Sequence, residues 1–408
     1  MKILCKNQEA HLTYSMNVHP GETWEDVIQN IYNYAIPIKK EIAQDREFGI
    51  GLRLSALSAH QLRSQENLRC LQRLCKENDL YVFTINGFIH GDFHKARVKE
   101  TVYLPDWRQE ERLEYSNCLA SILCDLLPEG MYGSISTVPV GWKSSFHGVN
   151  DIQKAANLLL RHVEYLYRLN KETGKTIALA LEPEPGCVLE TIQETANFFQ
   201  DYLFSDKALS YLHNLGLSSA CREIIARHLG VCYDACHIAI FHENPLKSLS
   251  LLKKSGIQVL KVQISSALKI RFLAQDAKIG SLLHAFMESR YLHQVVEKQG
   301  DCLCFFPDLP AALQTLSSRP EGSLLEWRIH FHVPIFLESL SCLLTTQDHI
   351  LEMFSHHDFL CQHLEIETYT WEVLPQEFRE ESMVKAIAKE FAWTQDLMRK
   401  LYRERGKN

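Results

Sequence analysis

Short apolar runs of β type alternate with longer stretches of helical periodicity along the whole chain, and this alternation restricts the fold more than any other property of the sequence. The runs lie at Leu12–Asn17, Gly49–Ser55, Tyr81–Asn86, Gly133–Val138, Thr176–Glu182, Gly230–Asp234, Val259–Ile264 and Leu364–Thr368. Several are continuously apolar, as in strands of a parallel sheet covered on both faces. Helix starts are marked by Thr23 with Asp26, Ser58 with Gln61 and Thr191 with Glu194, which resemble capping boxes. Gly174 and Gly256 sit where C-terminal caps belong. Strand then helix, repeated eight times, predicts an α/β protein built as a single (β/α)8 barrel spanning 1–408.

Two segments stand outside the repeat. Residues 267–334 are too long for a connection after the seventh strand, and they carry an extended run of their own, Trp327-Arg-Ile-His330-Phe-His332-Val-Pro334. The aromatic residues Phe305, Phe306, Trp327 and Phe331 argue against disorder, so a folded lid over the barrel mouth is expected. Beyond the eighth strand, Val384, Ile387, Phe391, Met398 and Leu401 recur at helical spacing within 379–405. Arg399, Lys400, Arg403 and Arg405 crowd its end, matching the dipole of a terminal helix packed on the barrel.

A net charge of −7 gives no footprint for nucleic acid or an acidic membrane, because such partners need a clustered positive field. The thirteen cysteines include no CxxC pair, and sites such as Cys124, Cys302 and Cys304 lie among apolar residues. They read as reduced core residues of a cytoplasmic protein. The amino terminus lacks the apolar core of a signal peptide, and no stretch approaches the roughly 20 apolar residues of a membrane span.

The chemistry gathers at strand ends. Ala178-Leu-Ala-Leu-Glu182-Pro-Glu184-Pro, Gly230-Val-Cys-Tyr-Asp234-Ala-Cys-His237 and Leu364-Glu-Ile-Glu367-Thr-Tyr-Thr-Trp371 each leave an apolar run abruptly in a carboxylate or imidazole. In a barrel those ends share one face, the catalytic one. Such ligands suit a divalent cation, Mn, Mg, Co or Zn. Further candidates for binding a small-molecule metabolite are His19, Arg53, Asn86, His90 and His94; Arg53 could clamp an anion or pair with a neighbouring acid.

The chain resembles the metabolite traffic protein EboE family, xylose-isomerase-like TIM barrels encoded in bacterial gene clusters for secondary metabolites. The resemblance is carried by Leu12-Thr-Tyr-Ser-Met-Asn17-Val-His19-Pro-Gly-Glu22, Gly51-Leu-Arg53-Leu-Ser55, Tyr81-Val-Phe-Thr-Ile-Asn86-Gly-Phe88, Ser134-Ile-Ser-Thr-Val-Pro139 and Ile366-Glu367-Thr-Tyr-Thr-Trp371. It implies a barrel working in secondary metabolism, in possible contact with other proteins of the same pathway. The wider superfamily includes sugar isomerases, ketose epimerases, inosose dehydratases and an abasic-site endonuclease. By that resemblance Glu182, Asp234 and Glu367 are metal ligands, and His237 lies near the substrate. The seventh strand usually supplies a histidine, and Gln263 stands there instead. A weaker amide ligand then binds more loosely or recruits His330 or His332 from the long insertion.

Three functions are open at this stage. A metal-dependent sugar or polyol isomerase, epimerase or related lyase would use Glu182 and Glu367 as catalytic base and acid on opposite faces of the substrate, with the cation holding the charge of an enediolate. A non-catalytic barrel that binds or hands on a metabolite is favoured by the loss of histidine at Gln263. Phosphodiester cleavage of damaged DNA would need more histidine ligands and a basic groove, which the sequence lacks.

Overall fold

In the computed structural model the described residues are 1–5, 8–94, 98–217, 220–276, 278–356 and 361–403. Eight parallel strands form the frame: β1 (Gln8–Tyr14), β2 (Phe48–Arg53), β3 (Leu80–Asn86), β4 (Tyr132–Thr137), β5 (Thr176–Leu181), β6 (Leu229–Asp234), β7 (Val259–Ile264) and β8 (His363–Ile366). They follow one another in spatial order from β2 round to β8, and β8 pairs with β1. The last seam, between β1 and β2, is closed near its top by a parallel bridge between Ser15 and Gly51 and by the Gly51 amide donating to the Thr13 hydroxyl at 2.9 Å. Lower on β1, the antiparallel strand Lys2–Cys5 covers the open edge. All eight expected strands are present, each within a few residues of the expected ends.

Local rules place the surrounding helices. Thr23 and Thr191 form complete capping boxes with Asp26 and Glu194. The helix Ala56–Leu62 is capped by Ser55, not Ser58, because the Ser55 hydroxyl accepts the Ser58 amide while Ser58 lies inside the first turn. Gly174 takes the left-handed conformation that ends Val149–Thr173, and Gly256 does the same after Pro245–Lys254.

Inside the barrel one ion pair is completely dry. Lys261 on β7 meets Glu365 on β8 at 2.7 Å, and neither side chain is solvent-exposed. A Cβ at Gly51 would lie 2.1 Å from a Glu365 oxygen, so only glycine leaves room for this carboxylate beside the seam.

The segment between β7 and the helix Gln347–Ser355 forms a six-stranded antiparallel sheet, and it continues past the expected limit at Pro334 to the strand Leu343–Thr345. Its order is Cys302–Phe306, Val295–Gln299, Leu324–Ile329, Leu268–Leu273, Leu343–Thr345, Ser339–Leu340. Trp327 and Phe331 are fully buried in it, as residues of a packed layer. Cys302 and Cys304 are exposed, contrary to their expected place in the core, because they lie on the sheet's outermost strand. Of the twelve cysteines whose side chains are described, seven are buried and all are free thiols. No helix among the described residues is long and apolar enough to cross a membrane.

The C-terminal helix Met383–Arg403 buries Ile387, Phe391 and Met398 against the barrel, as its spacing predicts; Arg405, expected in its last turn, lies outside the described residues. It also buries one carboxyl. Glu390 accepts from Thr368 Oγ1 at 2.6 Å, Trp371 Nε1 at 3.2 Å and the Ile335 amide at 3.3 Å. Burial pushes its pKa from 4.5 up to about 7 against those bonds. Between those two values the folded chain keeps a proton that the unfolded chain releases, so stability falls as pH rises through the window and levels off above it. The loss due to Glu390 is on the order of 3 kcal/mol. Urea denaturation from pH 4.5 to 8 should show this decline in the wild type and a flatter profile in Glu390→Gln; parallel profiles would contradict it.

Candidate metal centre

Three strands deliver carboxylates to the barrel mouth. Glu182 follows β5, anchored by its amide on the Thr137 carbonyl at 3.1 Å. Asp234 ends β6 and caps the helix Ala235–Ile240, its Oδ1 accepting the His237 amide at 3.0 Å and the Ser265 hydroxyl at 2.7 Å. Glu367 follows β8, and its Oε1 accepts from Asn17 at 2.9 Å and Asn86 at 3.4 Å. One oxygen from each carboxylate lies within 4.8 Å of the other two. Glu182 Oε2 and Asp234 Oδ2 are buried with no hydrogen-bond partner.

This arrangement is electrostatically unbalanced. Burial, then the neighbouring Glu367 and Asp234, drive the Glu182 pKa well above the carboxylate range, and burial and Asp234 do the same to Glu367. Burial also works against Asp234, but His237, His332 and the Ser265 hydrogen bond outweigh it and hold that carboxyl below its usual value. Three acids crowded in a dry site with orphaned oxygens fit a divalent cation, which satisfies the oxygens and cancels their repulsion at once.

Three imidazoles stand beside the acids. His237 comes from the helix after β6; His330 and His332 follow the insertion's strand Leu324–Ile329, where the chain returns to the barrel through the Val333 amide on the Ser266 carbonyl at 2.9 Å. All three are buried. Burial lowers the pKa of His237 to about 4, despite the pull of Asp234, and it also lowers His330 and His332. Above this floor opens a cavity whose walls mix aromatic side chains, Phe93, Tyr103, Tyr291 and Tyr369 among them, with aliphatic and polar ones.

The structure thus brings together Glu182, Asp234, Glu367, His237, His332 and Asn86. Gln263 faces the interior but leans toward Cys232, whose thiol reaches its Oε1 at 3.5 Å. Arg53, His19 and His90 have partners away from the cavity, whereas His94 packs on one of its walls. Arg53 is taken by Glu22 in a two-pronged pair at 2.9 and 3.1 Å and by the Gly91 carbonyl at 2.8 Å, so it ties loops together. His19 accepts or donates at Tyr14 Oη, 3.0 Å away, and stacks on Tyr34. His90 packs its ring on Tyr115, and His94 is buried edge-on against Phe93. Sequence reasoning missed Glu184, Asn17, Tyr103 and Gln294 as wall residues. Glu184 carries a signal, since it repeats the Glu-Pro step of Glu182-Pro183; Tyr103, at the end of the short 3-10 helix Lys99–Tyr103, and Gln294, just before a strand, carry none. Glu184 accepts from Tyr103 Oη at 2.8 Å, and burial raises its pKa to about 8.

No protein-family model matches the chain, and no curated protein matches it either. Several solved structures resemble it. The probable 3-DHS dehydratase AsbF, involved in petrobactin synthesis in Bacillus anthracis, is 14% identical with a TM-score of 0.46, the match covering 94% of this chain and 98% of that one. An IOLI protein with a bound zinc atom is 12% identical at a TM-score of 0.46, covering 96% of this chain and 99% of that one. A xylose isomerase domain protein from Planctomyces limnophilus is 12% identical at a TM-score of 0.46, covering 97% and 98%. Likeness of this degree carries no argument about activity, and the barrel follows from the strand order itself.

If repulsion among the three acids is the dominant strain, neutralising one of them stabilises the metal-free fold. Glu182→Gln should melt several degrees above the wild type in chelator and gain less from added Mn. A variant that melts below the wild type in chelator would contradict this reading of the site.

Proposed function

We propose that the chain is a divalent-metal-dependent protein of the sugar or polyol isomerase and epimerase type. The observation that carries this reading is the convergence of Glu182, Asp234 and Glu367 at the barrel mouth, where Glu182 and Glu367 line a cavity. Glu182, Asp234 and Glu367 would hold the ion. A cation there supplies Lewis-acid stabilisation of negative charge on substrate oxygens. The protein's own groups do the rest. Glu182 and Glu367 enter from β5 and β8, separated around the barrel by β6 and β7, so they reach a bound substrate from different sides as base and acid. Asn17 and Asn86 fix the Glu367 carboxylate by donating to one of its oxygens. The insertion roofs the mouth and keeps bulk water from the reacting carbon.

The position of Gln263 favours a second reading, a barrel that binds a metabolite and passes it on, as expected of the EboE family. Its amide is turned to Cys232, and no seventh-strand histidine supports the site. In that case the chain works in the cytoplasm beside other proteins of a secondary-metabolite pathway.

Incubation with candidate ketoses and inososes in deuterated water separates the two. Isomerase or epimerase chemistry exchanges the hydrogen next to the carbonyl, and exchange should fall by roughly a hundredfold or more in Glu182→Gln. A metabolite that copurifies and returns without deuterium would support the carrier instead.

A further inference from the structure

The cavity over the carboxylates is divided in its chemistry. Its floor is polar, yet the polar groups along its sides are already held by one another. Asn17 and Asn86 donate to Glu367 at 2.9 and 3.4 Å, and the Asn86 oxygen accepts the Phe88 amide at 3.2 Å. Gln294 engages His330 Nδ1 through its oxygen at 2.8 Å, and its nitrogen donates to Tyr103 Oη at 2.9 Å and to the Pro185 carbonyl at 3.1 Å. Tyr103 in turn donates to Glu184, and the Lys99 ammonium is paired with Asp308. Among the described lining residues, the buried side-chain atoms left without a partner are Asn17 Oδ1 and Glu182 Oε2, both acceptors at the carboxylate end.

The remaining wall is apolar. Phe88, Ile89 and Phe93 from the loop after β3, Val98 and Val102 around the short helix Lys99–Tyr103, and Leu292 from the insertion line it. Phe93 also meets Tyr291 and Tyr369, with ring centroids 4.8 and 5.4 Å away, and those two rings meet each other at 5.2 Å. A free sugar carries a hydroxyl on nearly every carbon, and a hydroxyl pressed on such a wall loses its bonds to water without replacement. An alkyl or aryl group gains from the same contact.

We infer that the substrate of this site is amphipathic: an α-hydroxycarbonyl or vicinal diol head at the carboxylates, carrying an alkyl or aryl arm against the apolar wall. A free polyhydroxylated sugar is a poor fit for want of partners along the sides. A sugar phosphate is a poor fit because Asp308 already neutralises Lys99. The head rests on the proposed metal-dependent function, whereas the arm rests on the wall residues alone, so the two fail separately.

The test is a ligand-detected NMR titration of the full chain loaded with Mg, using dihydroxyacetone and the series from 1-hydroxy-2-butanone to 1-hydroxy-2-octanone. The butanone differs from dihydroxyacetone by a methyl in place of a hydroxyl and should bind about tenfold tighter. Each further methylene should tighten binding about fourfold until the arm leaves the wall. Val102→Asn, at a half-buried wall position, should flatten that rise, and Leu292→Ala should lower it if the asparagine variant does not fold. The same series in chelator separates the two claims. Weaker binding of every member by a common factor, with the rise kept, supports a metal-held head; a series unchanged in chelator removes the metal from the reading and leaves the arm standing. Affinity that is flat along the series, tightest for dihydroxyacetone, or undetected at the octanone would overturn the inference, as would a rise unaltered in both variants.

Discussion

The rest of the molecule is arranged around the mutual repulsion of Glu182, Asp234 and Glu367. At a separation of about 4 Å two like charges cost about 1 kcal/mol in water and about 4 kcal/mol at the effective dielectric of a protein's outer layers. Three in a buried floor cannot all ionise cheaply, and burial with mutual charge raises two of them while Asp234 stays low. A protein that only needed to fold would replace such a group with apolar residues. Its presence on three strand ends fits a centre that a divalent cation would balance.

The barrel supplies the rigidity this requires. Parallel hydrogen bonding fixes the register of β5 through β8, so that Asp234 stands level with Gln263, and Gln263 with Glu365. Beneath the site, Lys261 and Glu365 neutralise each other in the dry interior, and Gly51 makes space for them at the seam. A buried pair of this kind adds little net stability, but removing one partner is costly. Lys261 pulls the Glu367 carboxyl down while Glu365 pushes it up, so the pair does not cancel the repulsion above it. The insertion works from the opposite side. It folds on its own apolar layer, around Trp327 and Phe331, and returns to the barrel with His330 and His332.

The eight strands and the strand-end acids were legible in the sequence because continuous apolar runs broken by a carboxylate have few other uses in a soluble fold. The order of the insertion was not legible. Cys302–Phe306 is mostly exposed, and the pairing of Leu324–Ile329 with Val295–Gln299 and Leu268–Leu273 joins segments distant in sequence. Ser58 was a plausible cap by spacing, yet Ser55 takes that role because it is where the backbone leaves the extended region. Arg53 and His19 look like ligands in a linear reading. Which acid or ring each would meet, Glu22 or Tyr34, is decided only by packing. Gln294 and Tyr103 gave no pattern, since an irregular residue before a strand and the end of a one-turn helix are too short to show a period.

Anomalous diffraction from crystals of the full chain grown with Mn, recorded at the Mn edge, tests the central claim most directly. A peak bound by Glu182, Asp234 and Glu367 at about 2.0–2.2 Å from their oxygens is the predicted result. Ordered carboxylates with no anomalous peak among them, at saturating Mn and neutral pH, would contradict it.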